Sequence, residues 1–67
     1  MTITINGEQV TIDSNVMTIK ELLEHFQLLQ RGPIVEHNGQ VLKQEQWNTQ
    51  KIAEKDTLEI VQFVGGG

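Results

Sequence analysis

Residues 2–13 read TITINGEQVTID, in which two short alternating segments flank an Asn-Gly pair. Asn6 and Gly7 are residue types that adopt positive φ readily, as both central positions of a type I′ turn require. The apolar side chains of both segments fall at alternate positions, so each segment has one apolar face, built from Ile3, Ile5, Val10 and Ile12. The stretch therefore predicts a β-hairpin.

Two later stretches also have the features of strands. PIVEHNGQVL, residues 33–42, has apolar runs on both sides of Asn38-Gly39 and predicts two further short strands. TLEIVQFV, residues 57–64, is strongly β-prone and predicts a last strand. The intervening residues 43–56 are polar apart from Trp47, Ile52 and Ala53. They suit either a loop or a single helical turn pinned by the tryptophan.

One segment has helical spacing instead. In MTIKELLEHFQLLQRG, residues 17–32, apolar side chains recur every three or four positions. Thr18 is placed to cap the N-terminus and Glu21 to complete a capping box. Gly32 and Pro33 are expected to end the helix, because glycine favours a left-handed C-cap and proline cannot continue a helix. The apolar stripe consists of Ile19, Leu22, Leu23, Phe26 and Leu29.

The predicted order of elements is β-β-α-β-β-β. A last strand that runs parallel to the first, and beside it, is the simplest way to join a hairpin, a crossover helix and a late strand. The fold class is therefore α+β: a β-grasp (ubiquitin-like) domain, residues 1–64, with a mixed β-sheet and one main helix packed on one face. The expected core is Ile3, Ile5, Val10, Ile12, Leu22, Leu23, Phe26, Val35, Leu58 and Ile60.

Length and composition exclude several classes of protein. A chain of 67 residues has no room for a deep cleft between two lobes, so a self-contained enzyme is not expected. The absence of Cys excludes disulfides, thiolate metal sites and cysteine nucleophiles. A net charge of −4 with scattered basic residues argues against nucleic acid and anionic membranes as partners. The N-terminal residues lack the features of a signal peptide or membrane span, so a cytoplasmic location is expected by default.

No motif for catalysis by this chain is present. His25 and His37 have no metal-ligand spacing and are expected to be ordinary surface or half-buried histidines, so no metal site is predicted. The acidic residues are dispersed, without a pair arranged for general acid–base work. No Ser/His/Asp set, phosphate-binding loop or nucleotide fingerprint occurs.

A single helix leaves the other face of the sheet open to solvent, where side chains should be polar. Val61, Phe63 and Ile34 depart from that rule, since they are apolar and are expected on the open face. Such residues on neighbouring strands suggest a surface for a partner protein, and Val64 beside them belongs to the same candidate site. The alternative is that they pack beneath the loop around Trp47.

The chain ends on three glycines, Gly65, Gly66 and Gly67, directly after the predicted last strand. A run without Cβ atoms can lie extended in a narrow channel, so residues 65–67 are predicted to form a flexible tail that threads the terminal carboxylate into another protein's active site. Four residues beyond Phe63 reach at most about 13 to 14 Å. A carboxylate becomes an acylating group once a partner attaches AMP to it. A frayed end or a cloning remnant is the alternative.

Four stretches, INGEQV, TIKELLEHF, VEHNGQVLKQEQW and LEIVQFVGGG, resemble the sulfur carrier family of thiamine (thiazole) biosynthesis. The ending is the most informative of them, because Gly66 and Gly67 match the diglycine of the family. The resemblance implies that an E1-like adenylyltransferase uses ATP to adenylate the Gly67 carboxylate, while the carrier itself binds no cofactor. It also implies conversion to a thiocarboxylate, with sulfur from a donor such as a cysteine desulfurase, and transfer of that sulfur to thiazole synthase.

Three other classes of protein remain open. The small subunit of molybdopterin synthase shares the fold, the tail and the sulfur chemistry. A ubiquitin-like protein modifier would use the same adenylate but finish in an amide bond to lysine. A non-catalytic regulatory binding domain would use the sheet face without any chemistry at its terminus. Because the first two activate a terminal carboxylate just as a sulfur carrier does, the residues alone do not identify the acceptor.

Overall fold

The computed structural model of the chain describes residues 1–61. The predicted site residues Phe63, Val64 and 65–67 lie outside the described residues. The strands are β1 (Thr2–Ile5), β2 (Glu8–Thr11), β3 (Ile34–His37), β4 (Gln40–Leu42) and β5 (Thr57–Val61). The helical segments are α1 (Ile19–His25) and two short 3-10 helices, Leu29–Arg31 and Gln44–Gln46.

The strands form one mixed sheet in the order β2-β1-β5-β3-β4. β1 and β5 are parallel, with Thr4 beside Thr57 and Ile5 beside Leu58. The other neighbouring strands are antiparallel. The predicted α+β, β-grasp arrangement is confirmed, and it makes the last strand the central one.

Both Asn-Gly pairs form the tight turns that their residue types predict. The φ angles are 50° at Asn6, 85° at Gly7, 48° at Asn38 and 89° at Gly39. Positive φ at both central residues is the mark of a type I′ turn, whose twist matches that of the strands it joins. The two turns therefore set the registers of β1 with β2 and of β3 with β4.

The N-terminus of α1 carries the predicted capping box. The Glu21 N–H donates to Thr18 Oγ1 (3.2 Å), and the Thr18 N–H donates to the Glu21 carboxylate (3.0 Å). The Met17 N–H donates to the same carboxylate (2.9 Å). These backbone donors of Met17 and Thr18 hold the pKa of Glu21 below its ordinary value.

The C-terminus of α1 differs from the prediction. The helix ends at His25 with Phe26 as its C-cap, whereas Gly32 and Pro33 were expected to end it. Gly32 does adopt a left-handed conformation, with φ of 61°, but it closes the separate 3-10 helix Leu29–Arg31. The prediction of one continuous helix up to Gly32 is therefore wrong.

A Schellman motif at Gln27 is what stops the helix. Gln27 has a φ of 60°. Its N–H donates to the carbonyl of Glu24 (3.0 Å), and the N–H of Leu28 donates to the carbonyl of Leu23 (2.7 Å). Glycine usually occupies this left-handed position because it has no Cβ, so a glutamine there gives no local signal of a helix end. The turn leaves Leu28 and Leu29 packed against the core as partly buried residues.

The core lies between α1 and one face of the sheet. Its buried members are Ile3, Ile12, Val16, Ile19, Leu22, Leu23, Val35, Leu42, Trp47, Ile52, Leu58 and Ile60. Trp47 and Ile52 come from residues 43–56, whose structure the sequence left open. The Lys20 N–H donates to the carbonyl of Trp47 (2.9 Å), and the Ile52 N–H donates to that of Met17 (2.8 Å). The segment is therefore bound to the start of α1 as part of the domain.

Some residues expected in the core are less buried than predicted. Ile5 and Val10 are partly buried, and they pack against the core from its edge. Phe26 is 37% exposed, so its predicted full burial is wrong. The helix ends at His25, and Phe26 therefore does not continue the apolar stripe of α1.

We expect Leu22→Ala to lower the free energy of unfolding by about 2 to 5 kcal/mol, because Leu22 is fully buried and the substitution leaves a cavity. Phe26→Ala should cost clearly less, since more than a third of that side chain is already exposed. Urea denaturation of the two variants and the unmodified chain measures both effects. Equal losses of stability would contradict this description of the core.

Candidate functional site

The face of the sheet opposite α1 is exposed, and it has two parts. The part on β1 and β2 is polar, with Thr2, Thr4, Gln9 and Thr11 alternating with the residues that face the core. The part on β3, β4 and β5 carries three exposed apolar residues. They are Ile34 (44% exposed), Val41 (66%) and Val61 (58%), and we call them the apolar patch.

Strand register brings the predicted members of the patch together. Ile34 and Val61 are directly opposite one another on β3 and β5. Both are exposed, while Trp47 is buried, so these two residues do not pack beneath the loop around Trp47. The candidate residues Phe63 and Val64 lie outside the described residues.

Val41 is a member of the patch that sequence reasoning missed. β4 contains two neighbouring apolar residues, Val41 and Leu42, and its short sequence does not say which of them faces the core. The strand register determines which of the two residues faces the core, because Leu42 pairs with the buried Val35 and Val41 pairs with Glu36. Only the pairing with β3 could have identified Val41 as a surface residue.

Two carboxylates border the apolar patch. Glu36 and Glu59 are directly opposite one another on β3 and β5, two residues along each strand from the Ile34 and Val61 pair. Like charges in directly opposed positions are unfavourable for a sheet. A basic group on a docked partner would relieve this repulsion, so the patch is suited to a partner surface that is apolar with a cation at its edge.

The last residue that the structure describes, Val61, is a member of the apolar patch and lies on the central strand of the sheet. Six residues follow, 62–67, and they span at most about 20 to 22 Å. The terminal carboxylate of Gly67 is therefore tethered within that distance of the patch.

The two histidines lie elsewhere. His37 Nε2 is 2.8 Å from Asp56 Oδ2, where β3 ends and β5 is about to begin. The exposed His25 contacts the ring of Phe26 edge-on, with the ring centroids 5.0 Å apart. Among residues 1–61, no three His, Asp or Glu side chains are grouped so as to hold a metal ion. In the same part of the chain, no helix has the length and hydropathy needed to cross a membrane.

Asp56 is the centre of a hydrogen-bond cluster directly before the first residue of β5. Besides its contact with His37, its carboxylate accepts from the Ala53 N–H (2.8 Å) and from Asn38 Nδ2 (3.1 Å). Burial raises the pKa of Asp56, but the hydrogen bonds from His37, Ala53 and Asn38 outweigh burial and hold that pKa below its ordinary value. The cluster therefore ties the end of β3 and the turn at Asn38 to the residues that precede β5.

Within residues 1–61, a five-stranded mixed sheet with parallel first and last strands and one α-helix across it defines a small β-grasp, ubiquitin-like protein. The model of the ThiS family matches residues 2–67. The chain belongs to the ThiS family.

Individual relatives agree with this assignment. The chain is 36% identical over 63 residues to the sulfur carrier protein ThiS of Bacillus subtilis (strain 168), a match that covers 94% of this chain and 96% of that protein. It is 30% identical over 63 residues to the uncharacterized protein ycf40 of Trieres chinensis, covering 94% and 85% of the two chains. The crystal structure of the thiamine biosynthesis protein (ThiS) from Geobacter metallireducens is similar with a TM-score of 0.83 at 33% identity, and 100% of each chain is covered.

The family confirms the resemblance drawn from the four quoted stretches. Of the classes of protein that the sequence left open, it supports the sulfur carrier of thiamine biosynthesis over the molybdopterin synthase subunit, the protein modifier and the regulatory domain. A member of this family is a carrier protein and not a catalyst.

We expect Asp56→Asn to lower the free energy of unfolding at pH 7 by about 1 to 3 kcal/mol, because the amide cannot accept all the hydrogen bonds that the carboxylate accepts. The folded pKa of Asp56 lies below the unfolded value of about 3.9. The carboxylate therefore contributes its full stability above the unfolded pKa, and the contribution is lost as the pH falls through the folded pKa.

Urea denaturation between pH 7 and pH 2 tests this pH dependence of the stability that Asp56 contributes. The difference in unfolding free energy between the unmodified chain and Asp56→Asn should shrink below about pH 4. Glu45→Gln, a change of the same kind at an exposed position in the 3-10 helix Gln44–Gln46, is the control. A difference for Asp56→Asn that stays constant down to pH 2 would contradict this pH dependence.

Proposed function

We propose that the chain carries sulfur for thiamine biosynthesis as a thiocarboxylate on Gly67. The supporting observation is the family match along residues 2–67, which includes the glycine ending. The absence of Cys supports the Gly67 carboxylate as the site of sulfur attachment, because no side chain of this chain can hold a persulfide. The terminal carboxylate is the group that remains for sulfur attachment.

The proposed chemistry takes place on partner enzymes. On an E1-like adenylyltransferase, a carboxylate oxygen of Gly67 attacks the α-phosphorus of ATP, so that an acyl adenylate forms and pyrophosphate leaves. Sulfur at the level of hydrosulfide then attacks the acyl carbon, and the new C–S bond displaces AMP. Where a cysteine desulfurase supplies the sulfur as a persulfide, the outer persulfide sulfur attacks the acyl carbon, displaces AMP and forms an acyl disulfide. A second thiol then cleaves the S–S bond, which releases the thiocarboxylate and leaves a disulfide between that thiol and the cysteine that carried the persulfide. ATP is bound by the partner, so the carrier needs no cofactor of its own.

A folded domain followed by a glycine tail suits a carrier that must dock on one enzyme surface and reach into its active site. The apolar patch, together with Phe63 and Val64, docks the body on the surface of the activating enzyme and later on thiazole synthase. Gly65 and Gly66 have no Cβ atoms, so they can pass through a channel too narrow for other residues. The carboxylate thus reaches a buried active site while the folded domain stays outside it.

The first test of this function concerns the terminal atom. After incubation with the activating enzyme, ATP and a sulfur donor, the C-terminal fragment should show exchange of one oxygen for sulfur by mass spectrometry. Deletion of Gly67 should abolish the exchange, because it shortens the reach by about 3.5 Å, while the urea unfolding curve stays the same.

Fragment analysis is necessary here, because oxidation of Met1 or Met17 adds nearly the same mass as an exchange of oxygen for sulfur. If the added mass lies on the methionines and the terminal fragment is unmodified while thiazole is being made, the proposed mechanism is wrong.

The second test concerns the apolar patch. We expect Ile34→Ser and Val61→Ser each to raise the KM for activation about five- to thirtyfold, because each removes an exposed apolar contact near the tail. Met17→Ser is the matched control, since Met17 is also half exposed (50%) but precedes α1 and is not on the sheet face. An unchanged KM for both patch variants, or an equal rise for the control, would exclude the patch as the docking surface.

A further inference from the structure

The side chain of Asn6 contacts β5 at Ile60, one residue before the last residue that the structure describes. Asn6 Nδ2 donates to the carbonyl of Ile60 (3.0 Å), and the Ile60 N–H donates to Asn6 Oδ1 (2.8 Å). The backbone N–H of Asn6 also donates to the carbonyl of Leu58 (2.9 Å). One residue of the first hairpin therefore makes three hydrogen bonds to the last strand.

These contacts extend the parallel ladder beyond the end of its partner strand. β1 stops at Ile5, opposite Leu58, whereas β5 continues to Val61. The side-chain amide of Asn6 has the donor and acceptor of a peptide group, and it pairs with both backbone groups of Ile60 as another strand residue would. Without it, β5 would be held beyond Leu58 from one side only, by its pairing with β3 at Glu59, Ile60 and Val61.

We propose that Asn6 is a positioning residue for sulfur loading: its amide fixes the end of β5, and so sets the point and direction from which residues 62–67 reach the active site of the partner. Ile60 precedes Gly67 by seven residues, so a displacement of Ile60 moves the point from which the chain must reach the partner's active site. This inference rests on the proposed function, in which the Gly67 carboxylate must enter that active site. A displacement of about 1 Å at a reacting group can cost up to a hundredfold in rate.

The chain contains a matched control for Asn6. Asn38 occupies the same place in the second Asn-Gly turn, with φ of 48° against 50° at Asn6. Its Oδ1 accepts from the Thr57 N–H (2.8 Å), and its Nδ2 donates to Asp56 (3.1 Å). Asn38 thus holds the start of β5 with the same kind of amide that Asn6 uses at the end of β5.

The experiment compares Asn6→Gly with Asn38→Gly, because glycine accepts the positive φ at both positions and each change removes two side-chain hydrogen bonds. For Asn6→Gly, we expect the kcat of thiocarboxylate formation on the activating enzyme to fall roughly ten- to a hundredfold. The KM should change less than the kcat, because Val61 keeps its pairing with Ile34 on β3. Asn38→Gly should change neither value at a temperature where both variants are folded.

Two further measurements separate positioning from folding. Amide hydrogen exchange should show faster exchange at Ile60 in Asn6→Gly but not in Asn38→Gly. Asn6→Asp keeps the acceptor for the Ile60 N–H and loses the donor to the Ile60 carbonyl, so it should recover part of the lost kcat.

The proposal is overturned if Asn6→Gly keeps the kcat of the unmodified chain, if Asn38→Gly loses kcat equally, or if exchange at Ile60 does not change. Failure of the proposed function looks different, because the unmodified chain itself would then not be loaded with sulfur. In that case a role in sulfur loading is excluded as well, while exchange at Ile60 still shows whether Asn6 holds the end of β5.

Discussion

The parallel pairing of β1 with β5 is the constraint on which the rest of this structure depends. It joins the first strand of the chain to the last, with Thr4 beside Thr57 and Ile5 beside Leu58. Two neighbouring parallel strands require a crossover, and α1 lies in that crossover. With β3 on its other side, β5 becomes the central strand, and its buried residues Leu58 and Ile60 contribute to the core. The last described residue, Val61, consequently lies in the middle of the sheet and not at an edge.

The two Asn-Gly turns do more than reverse the chain. A type I′ turn needs positive φ, which asparagine tolerates, and the asparagine side chain can then pair with backbone groups of another strand. Asn38 does this at Thr57 and Asn6 does it at Ile60, the two ends of the central strand. The two asparagines are favoured by the local turn geometry, and their side chains also hold β5 in place at Thr57 and at Ile60.

The proposed carrier role assigns recognition and chemistry to different parts of the chain. The body offers an apolar patch of Ile34, Val41 and Val61, bordered by Glu36 and Glu59, and its side chains have no part in the proposed chemistry. The group proposed to react, the Gly67 carboxylate, follows the patch residue Val61 by six residues in the sequence. One carrier can therefore serve two enzymes in turn, because each needs only a matching docking surface and a channel for the glycines.

The sequence by itself determined the features that depend on a few neighbouring residues. The Asn-Gly pairs predicted both hairpins, Thr18 and Glu21 predicted the start of α1, and the alternating residues of 57–61 predicted β5. The fold class followed from the order of these elements. The resemblance of the glycine ending and three other stretches identified the family, which the comparisons confirmed. The roles of the tail residues remain predictions, since 62–67 lie outside the described residues.

Only the tertiary structure decided the features that depend on contacts between distant segments. A left-handed Gln27 ends the helix early and leaves Phe26 exposed, although glutamine has no preference for that conformation. Trp47 and Ile52 are buried because residues 43–56 pack against the start of α1, and Val41 is exposed because Leu42 pairs with Val35. The bonds of Asn6 to Ile60 join residues 54 positions apart. Local propensities act over a few residues, whereas burial and register depend on which strands and loops meet in space.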